Sequence, residues 1–283
     1  MEERVQKIMA RANLGSRRAC EEIINEGRVQ VNGEIIQVGA KADPARDVIE
    51  VDGQRIEASK EENVYVVFHK PKNVLSTDLP HKSDDRQTVR ELIPLEGHLF
   101  TIGRLDAESE GLMVLTNDGD LANRIAHPRY GHTKTYKVIV YGLPSAETLE
   151  KWQNGIHLEE GMSAPCYVRI VRGDRKLSTL EVVMTEGKKR QIRRVASQLG
   201  HPVKHLIRTH IGQLGIGTLR VGEWYHLRPH EVEALTTPAD EARYIEKRRK
   251  SHRSKSRRPG SQRRGTPPQK KQDQKGNRKR SKK

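Results

Sequence analysis

The sequence predicts an α+β chain, and three patterns predict it. Helical spacing of apolar residues opens the chain and returns only in isolated segments. Between those segments lie short apolar or alternating runs, bounded by glycine and tight-turn pairs, which is the signature of strands joined by hairpins. The last forty residues have almost no apolar side chains and read as a polar arm. With 283 residues there is room for two modest domains and that arm. The boundaries are placed at residues 1–60, 61–242 and 243–283.

Taken in order, Val5, Ile8, Met9 and Ala12 recur at i, i+3, i+4 and i+7, an amphipathic helix that breaks at Asn13-Leu14-Gly15. Ser16 caps a second helix that shows Arg17 and Arg18 in its first turn, carries Ala19 and Ile23 on its apolar face, and stops at Gly27. Val29 to Val31 then runs as a strand into an Asn32-Gly33 hairpin turn, and Asp52-Gly53 marks another. Residues 58–63 are polar and aperiodic, an interdomain linker. A strand over residues 64–68 delivers His69-Lys70-Pro71-Lys72-Asn73 into a turn. Apolar runs on either side of residues 103–111 are strands, and Asp120 to Ala126 is a short helix stopped before Pro128. Residues 134–140 alternate as a strand, residues 152–166 are weakly patterned around a turn at Glu160-Gly161, and residues 167–171 and 179–185 form a strand pair. A helix with the buried stripe Ile192, Val195, Ala196 and Leu199 ends at Gly200, and glycine-spaced strands close the domain.

Charge is segregated. The net charge is +16, but residues 241–283 hold 19 Lys and Arg against 3 acidic residues, leaving 34 of each sign in the body. A neutral body with a basic arm points to an acidic polymer as partner, because Lys and Arg gain affinity by releasing counterions from phosphates. The arm has no amphipathic apolar face, which speaks against a membrane surface. Cys20 and Cys166 lack the spacing of a disulfide framework or a zinc site. A charged start and the lack of any membrane-length apolar run lead to the expectation of a cytoplasmic, monomeric protein.

Residues 99–119, LFTIGRLDAESEGLMVLTNDG, place Arg104 and Asp106 in a loop between two apolar strands. A carboxylate carried by rigid strands yet open to a ligand suits a nucleophile or a general base. The string resembles the catalytic motif of the RNA pseudouridine synthases, of the small ribosomal RsuA/RluB type: GRLD, a small-residue spacer, Gly-Leu, an apolar run and Thr-Asn-Asp-Gly. The opening SRR(x)CEEII(x)EGRVQVNG resembles the S4 RNA-binding domain of the same branch. The family's Lys-Pro-x-Gly loop stands at Lys70 to Asn73, with Asn73 for the usual glycine; Asn tolerates the positive φ that the turn needs.

What the resemblance implies is a small S4 module in front of a mixed, mainly antiparallel sheet with a central cleft. It implies catalytic roles for Asp106, for Tyr136 as the ring packed on the target base, and for Arg193 of the EGKKRQIRR string as the ion-pair partner of the catalytic carboxylate. RNA contacts are expected from Arg17, Arg18, Arg28, Lys188, Lys189 and Arg190, with Arg104 filling the place or holding the phosphate of the flipped base. The reaction moves ribose C1′ from N1 to C5 of uracil with no redox step, so no cofactor and no metal are implied. The implied partner is ribosomal RNA, 23S rather than 16S from the HPR after the Asp120 helix and the EGKKRQIRR form, either naked or within an assembling ribosome. Two other readings compete: a non-catalytic ribosome-assembly factor, which an intact Asp, Tyr and Arg set disfavours, and a hydrolase pairing Asp106 with Glu108 or Glu110, which crowding in one loop disfavours.

Overall fold

The structure, a computed structural model, describes residues 1–56, 62–77 and 84–247. Most of the expected linker, part of the loop after Ser76 and the basic arm beyond Lys247 lie outside those residues.

Strand β1 (Glu3–Arg4) leads into α1 (Val5–Arg11) and α2 (Arg17–Asn25), and the Ser16 hydroxyl accepts the Ala19 amide at 3.2 Å to cap α2. Strands β2 (Val29–Val31), β3 (Glu34–Ile35), β5 (Ile49–Val51) and β6 (Gln54–Arg55) form a small antiparallel sheet in the order β3-β2-β5-β6, while β4 (Lys41–Ala42) pairs with β1. Both of its hairpins turn on two left-handed residues, Asn32-Gly33 and Asp52-Gly53, as their sequences require. Val5, Ile8, Met9, Cys20, Ile24, Val29 and Ile49 fill one core between helices and sheet.

The second region is built on a nine-stranded sheet. Its strands are β7 (Tyr65–Lys70), β8 (Phe100–Thr101), β9 (Glu110–Thr116), β10 (Lys134–Tyr141), β13 (Tyr167–Gly173), β14 (Leu177–Met184), β15 (Val203–Ile211), β16 (Leu214–Gly215) and β17 (Trp224–His226). The path runs β13-β14-β10-β15-β9-β7-β17, with β8 on β9 and β16 on β15; every pairing is antiparallel except β15 with β9. Side chains alternate across it. One face carries Val66, Phe68, Met113, Leu115, Val138, Leu180 and Val182 under α4 (Ala146–Asn154) and α5 (Gln191–Gln198). The other carries Val67, Leu112, Val114 and Ile211 under α3 (Gly119–Ala126) and α6 (Pro229–Thr236).

The strand pair expected around Gly173 is longer than its apolar run, because alternation with exposed arginines still satisfies one covered face. Helix α4, capped by Ser145 and anchored by the buried Trp152, runs into the weakly patterned residues 152–166, which also hold a hairpin of β11 (His157–Leu158) with β12 (Gly161–Met162). A nine-residue helix with one large apolar anchor leaves little periodicity to read. Helix α6 escaped the sequence reading for the same reason.

Candidate active site

The Asp106 loop spans the gap between β8 and β9, and backbone bonds pin it almost residue by residue. The Ser76 hydroxyl donates to the Leu105 carbonyl at 2.7 Å and accepts the Leu105 amide at 3.1 Å. The Asn73 amide donates to the Ala107 carbonyl at 2.8 Å, and Asn73 sits at φ 63°, so the Lys-Pro turn keeps its shape without glycine. The Ser109 amide closes onto the Asp106 carbonyl at 3.0 Å. The later TNDG residues are structural: Asp118 caps α3 through the Asp120 and Leu121 amides and accepts the Tyr65 hydroxyl at 2.9 Å.

Beneath the loop runs one row of the sheet. Lys70 on β7 faces Gly111 on β9, Gly111 faces Arg208 on β15, and Arg208 faces Tyr136 on β10. Lys70 continues the Val66, Phe68 side and Tyr136 the Val138, Val140 side, so the row lies on the face beneath α5. Gly111 is required there. A Cβ would stand 2.3 Å from the Arg208 carbonyl oxygen, and φ is +118°.

Two members of the row are buried cations that grip the loop. Lys70, with no exposed surface, donates to the carbonyls of Pro71 and Ser109 at 2.9 Å, Asp106 at 3.4 Å and Ala107 at 3.5 Å. Burial pulls its ammonium down to about 8, and the neighbouring Asp106 charge opposes that pull. Arg208, 1% exposed, donates from Nε to the Leu112 carbonyl at 2.7 Å and from Nη1 to the Arg104 carbonyl at 3.4 Å. Thus one cation holds the end of the loop at Ser109 and the other holds its start at Arg104. Sequence reasoning gave neither a role. Lys70 ends its strand beside His69 and Lys72, and Arg208 lies between Ile207 and Thr209, so nothing local sets either apart from an ordinary surface cation.

The third cation arrives from α5. Glu186 and Gln191 bond each other at 2.6 Å, and Gln191 accepts the Lys188 amide at 3.0 Å, which fixes the turn before the helix. Arg193 reaches across to the Glu108 carbonyl and the Ser109 hydroxyl, both at 3.2 Å. Burial lowers its pKa, while the charges of Glu108 and Asp106 work the other way.

Residues 64–198 match the RNA pseudouridylate synthase family, and residues 3–48 match the S4 domain family. A protein of Aquifex aeolicus described as an uncharacterized RNA pseudouridine synthase is 40% identical over 252 residues, covering 88% of this chain and 100% of its own length. The chain is an RNA pseudouridine synthase of the RsuA/RluB type. Ribosomal large subunit pseudouridine synthase B of Bacillus subtilis is 40% identical over 242 residues, 84% of this chain and 97% of that relative. A crystal structure of a pseudouridylate synthase, 28% identical, superposes with a TM-score of 0.59 over 82% of this chain and 99% of the other.

In this pseudouridine synthase one expected contact takes a different form. Arg193 does not form its ion pair with Asp106; its partner is Glu108, with Nε 3.7 Å from Oε2, and Asp106 is felt only through its charge. Glu108 lies two residues on in the same turn and extends toward α5, so it meets the guanidinium first. Arg190 pairs with the same Glu108 carboxylate at 3.0 Å.

Among the other expected RNA contacts, Lys188 is tied to the Gly161 and Met162 carbonyls at 3.1 and 2.8 Å, whereas Lys189 and Arg104 are exposed. Arg28 is taken up by Asp52 at 2.6 Å and Glu26 at 2.8 Å. Arg17 and Arg18 are exposed at the start of α2, and Arg17 lines a cavity of about 550 Å³ together with Phe100, Asp118 and Asp120 of the catalytic region. The two regions also meet through Lys7 and Asp120 at 3.0 Å. Among the described residues no helix is long and apolar enough to cross a membrane.

Proposed function

We propose that this pseudouridine synthase isomerises a uridine of 23S ribosomal RNA, with Asp106 as the catalytic carboxylate, Tyr136 against the target base and Arg193 fixing the loop that carries the acid through Glu108 and Ser109. The observation that carries the reading is the convergence on one short loop of Lys70, Arg208 and Arg193, each from a different element. A loop fixed by so many backbone bonds keeps its carboxylate in place without reorganising during the reaction, which is where positioning lowers a barrier.

In the reaction the ribose C1′ to N1 bond breaks, the freed uracil turns, and C1′ rejoins at C5. The hydrogen on C5 is lost as a proton, and N1 gains one, so composition is unchanged. A carboxylate beside the sugar can act on the base or the sugar. The uridine must leave its stack to reach the loop, and Tyr136, 8% exposed at the end of the row, offers a flat wall for it.

The large-subunit choice is supported by the relatives named ribosomal large subunit pseudouridine synthase B, from Bacillus subtilis at 40% identity and Vibrio cholerae at 34%. Mapping pseudouridines in rRNA from cells with and without the protein tests it. One 23S position should lose its modification; loss at a 16S position instead would contradict the assignment.

A further inference from the structure

The anion between Arg190 and Arg193 belongs to the protein itself. Glu108 places one carboxylate oxygen 3.0 Å from Arg190 Nη2 and 3.7 Å from Arg193 Nε. Its fit is incomplete: Arg193 Nε is buried and has no hydrogen-bond partner. The Glu108 side chain keeps 60% of its surface, against 13% for Arg193, so the acid is the loose member and the arginine the fixed one. Its carboxyl is held below the ordinary carboxylate range, first by the Arg190 hydrogen bond, so it is anionic at neutral pH.

Two of the neighbouring cations are committed elsewhere. Lys188 bonds two carbonyls and Arg194 pairs with Glu160 at 2.8 Å, while Arg190 and Arg193 share an exposed, exchangeable acid. Arg190 takes up its position at φ 51°, a left-handed conformation that a non-glycine residue adopts only under constraint. Glu108 stands two residues from Asp106 in the same loop.

We infer that Glu108 is a stand-in for an RNA phosphate: a phosphodiester beside the target uridine displaces the Glu108 carboxylate and takes its seat between Arg190 and Arg193. The inference rests on the RNA-isomerising reading of the site. A phosphate has more acceptor oxygens than a carboxylate and can satisfy Arg193 Nε as well as Arg190. An exposed ion pair is weak, so displacement is cheap, yet it still subtracts from RNA affinity.

The test is equilibrium binding of a 23S rRNA transcript across salt concentrations by wild type, Glu108→Gln, Arg190→Gln and the double variant. Glu108→Gln should bind about 5- to 10-fold tighter, and its affinity should fall more steeply with salt by up to about one unit of slope, since the freed arginines now hold counterions that RNA releases. In the Arg190→Gln background that gain should shrink to less than half. No gain, or a gain that persists undiminished without Arg190, overturns the seat, because loss of any acid near RNA would act that way. Failure of the underlying reading shows differently, as a wild type that forms no pseudouridine in either rRNA.

Discussion

The basic residues of the S4 module and those under the Asp106 loop are spent in opposite ways. Arg28 is exposed and answered by two carboxylates. Lys70 and Arg208 are buried, and their hydrogen bonds go to backbone carbonyls rather than to acids. A lone buried cation is expensive unless its donors are used. Here the Lys70 ammonium and the Nε and Nη1 of Arg208 are used to fix a loop, so the difference separates charges answered at the surface from charges that shape a loop.

The contrast is broken most severely at Gly111, where the row has no room. Gly111→Ala should cost more than about 4 kcal/mol or prevent folding, because the new methyl meets strand backbone rather than a movable side chain. Urea denaturation, or recovery of soluble protein, checks this.

Next in size is Lys70→Met, which leaves buried carbonyls at Pro71 and Ser109 without their donor and should cost about 2–4 kcal/mol. It should also change the pH dependence. Folded Lys70 titrates at about 8 and the unfolded side chain near 10.5, so between those values the unfolded state binds more protons and stability rises with pH. Lys134, also lowered to about 8 by burial, adds the same sign. Above pH 10 the trend reverses, because burial and the carboxylates of Asp118 and Glu231 raise Tyr65 and Tyr225 to about 12. Denaturation curves from pH 8 to 10 should show about half the wild-type rise in Lys70→Met; an unchanged rise would remove Lys70 from the account.

The smallest effects belong to the surface. Arg18 forms no ion pair among the described residues, so Arg18→Ala should weaken RNA binding and flatten its salt dependence by about one unit of slope. Arg28→Ala should do less, since Asp52 and Glu26 already neutralise that charge. Equal slopes would dissolve the distinction.

Much of this was legible beforehand. The hairpins at Asn32-Gly33 and Asp52-Gly53, the Ser16 cap and the loop carrying Asp106 follow from local chemistry, and the structure has them all. Lys70 stood inside the quoted Lys-Pro turn yet received no role, because its function depends on β9 lying opposite, which is a matter of register. Arg208 needed the parallel pairing of β15 with β9, which no neighbouring residue announces. By sequence Glu108 stands out only as a hydrolytic partner for Asp106. Its actual neighbours come from α5, eighty residues on, and from there it claims the guanidinium expected to pair with Asp106.

The most direct test is pseudouridine formation in a 23S rRNA transcript by Asp106→Asn, read by mass spectrometry alongside binding of the same transcript. The loop is held by its backbone, so the amide should leave affinity and fold as they are while conversion disappears. Conversion at the wild-type rate would show that the carboxylate on the loop these cations hold is not the one that does the chemistry.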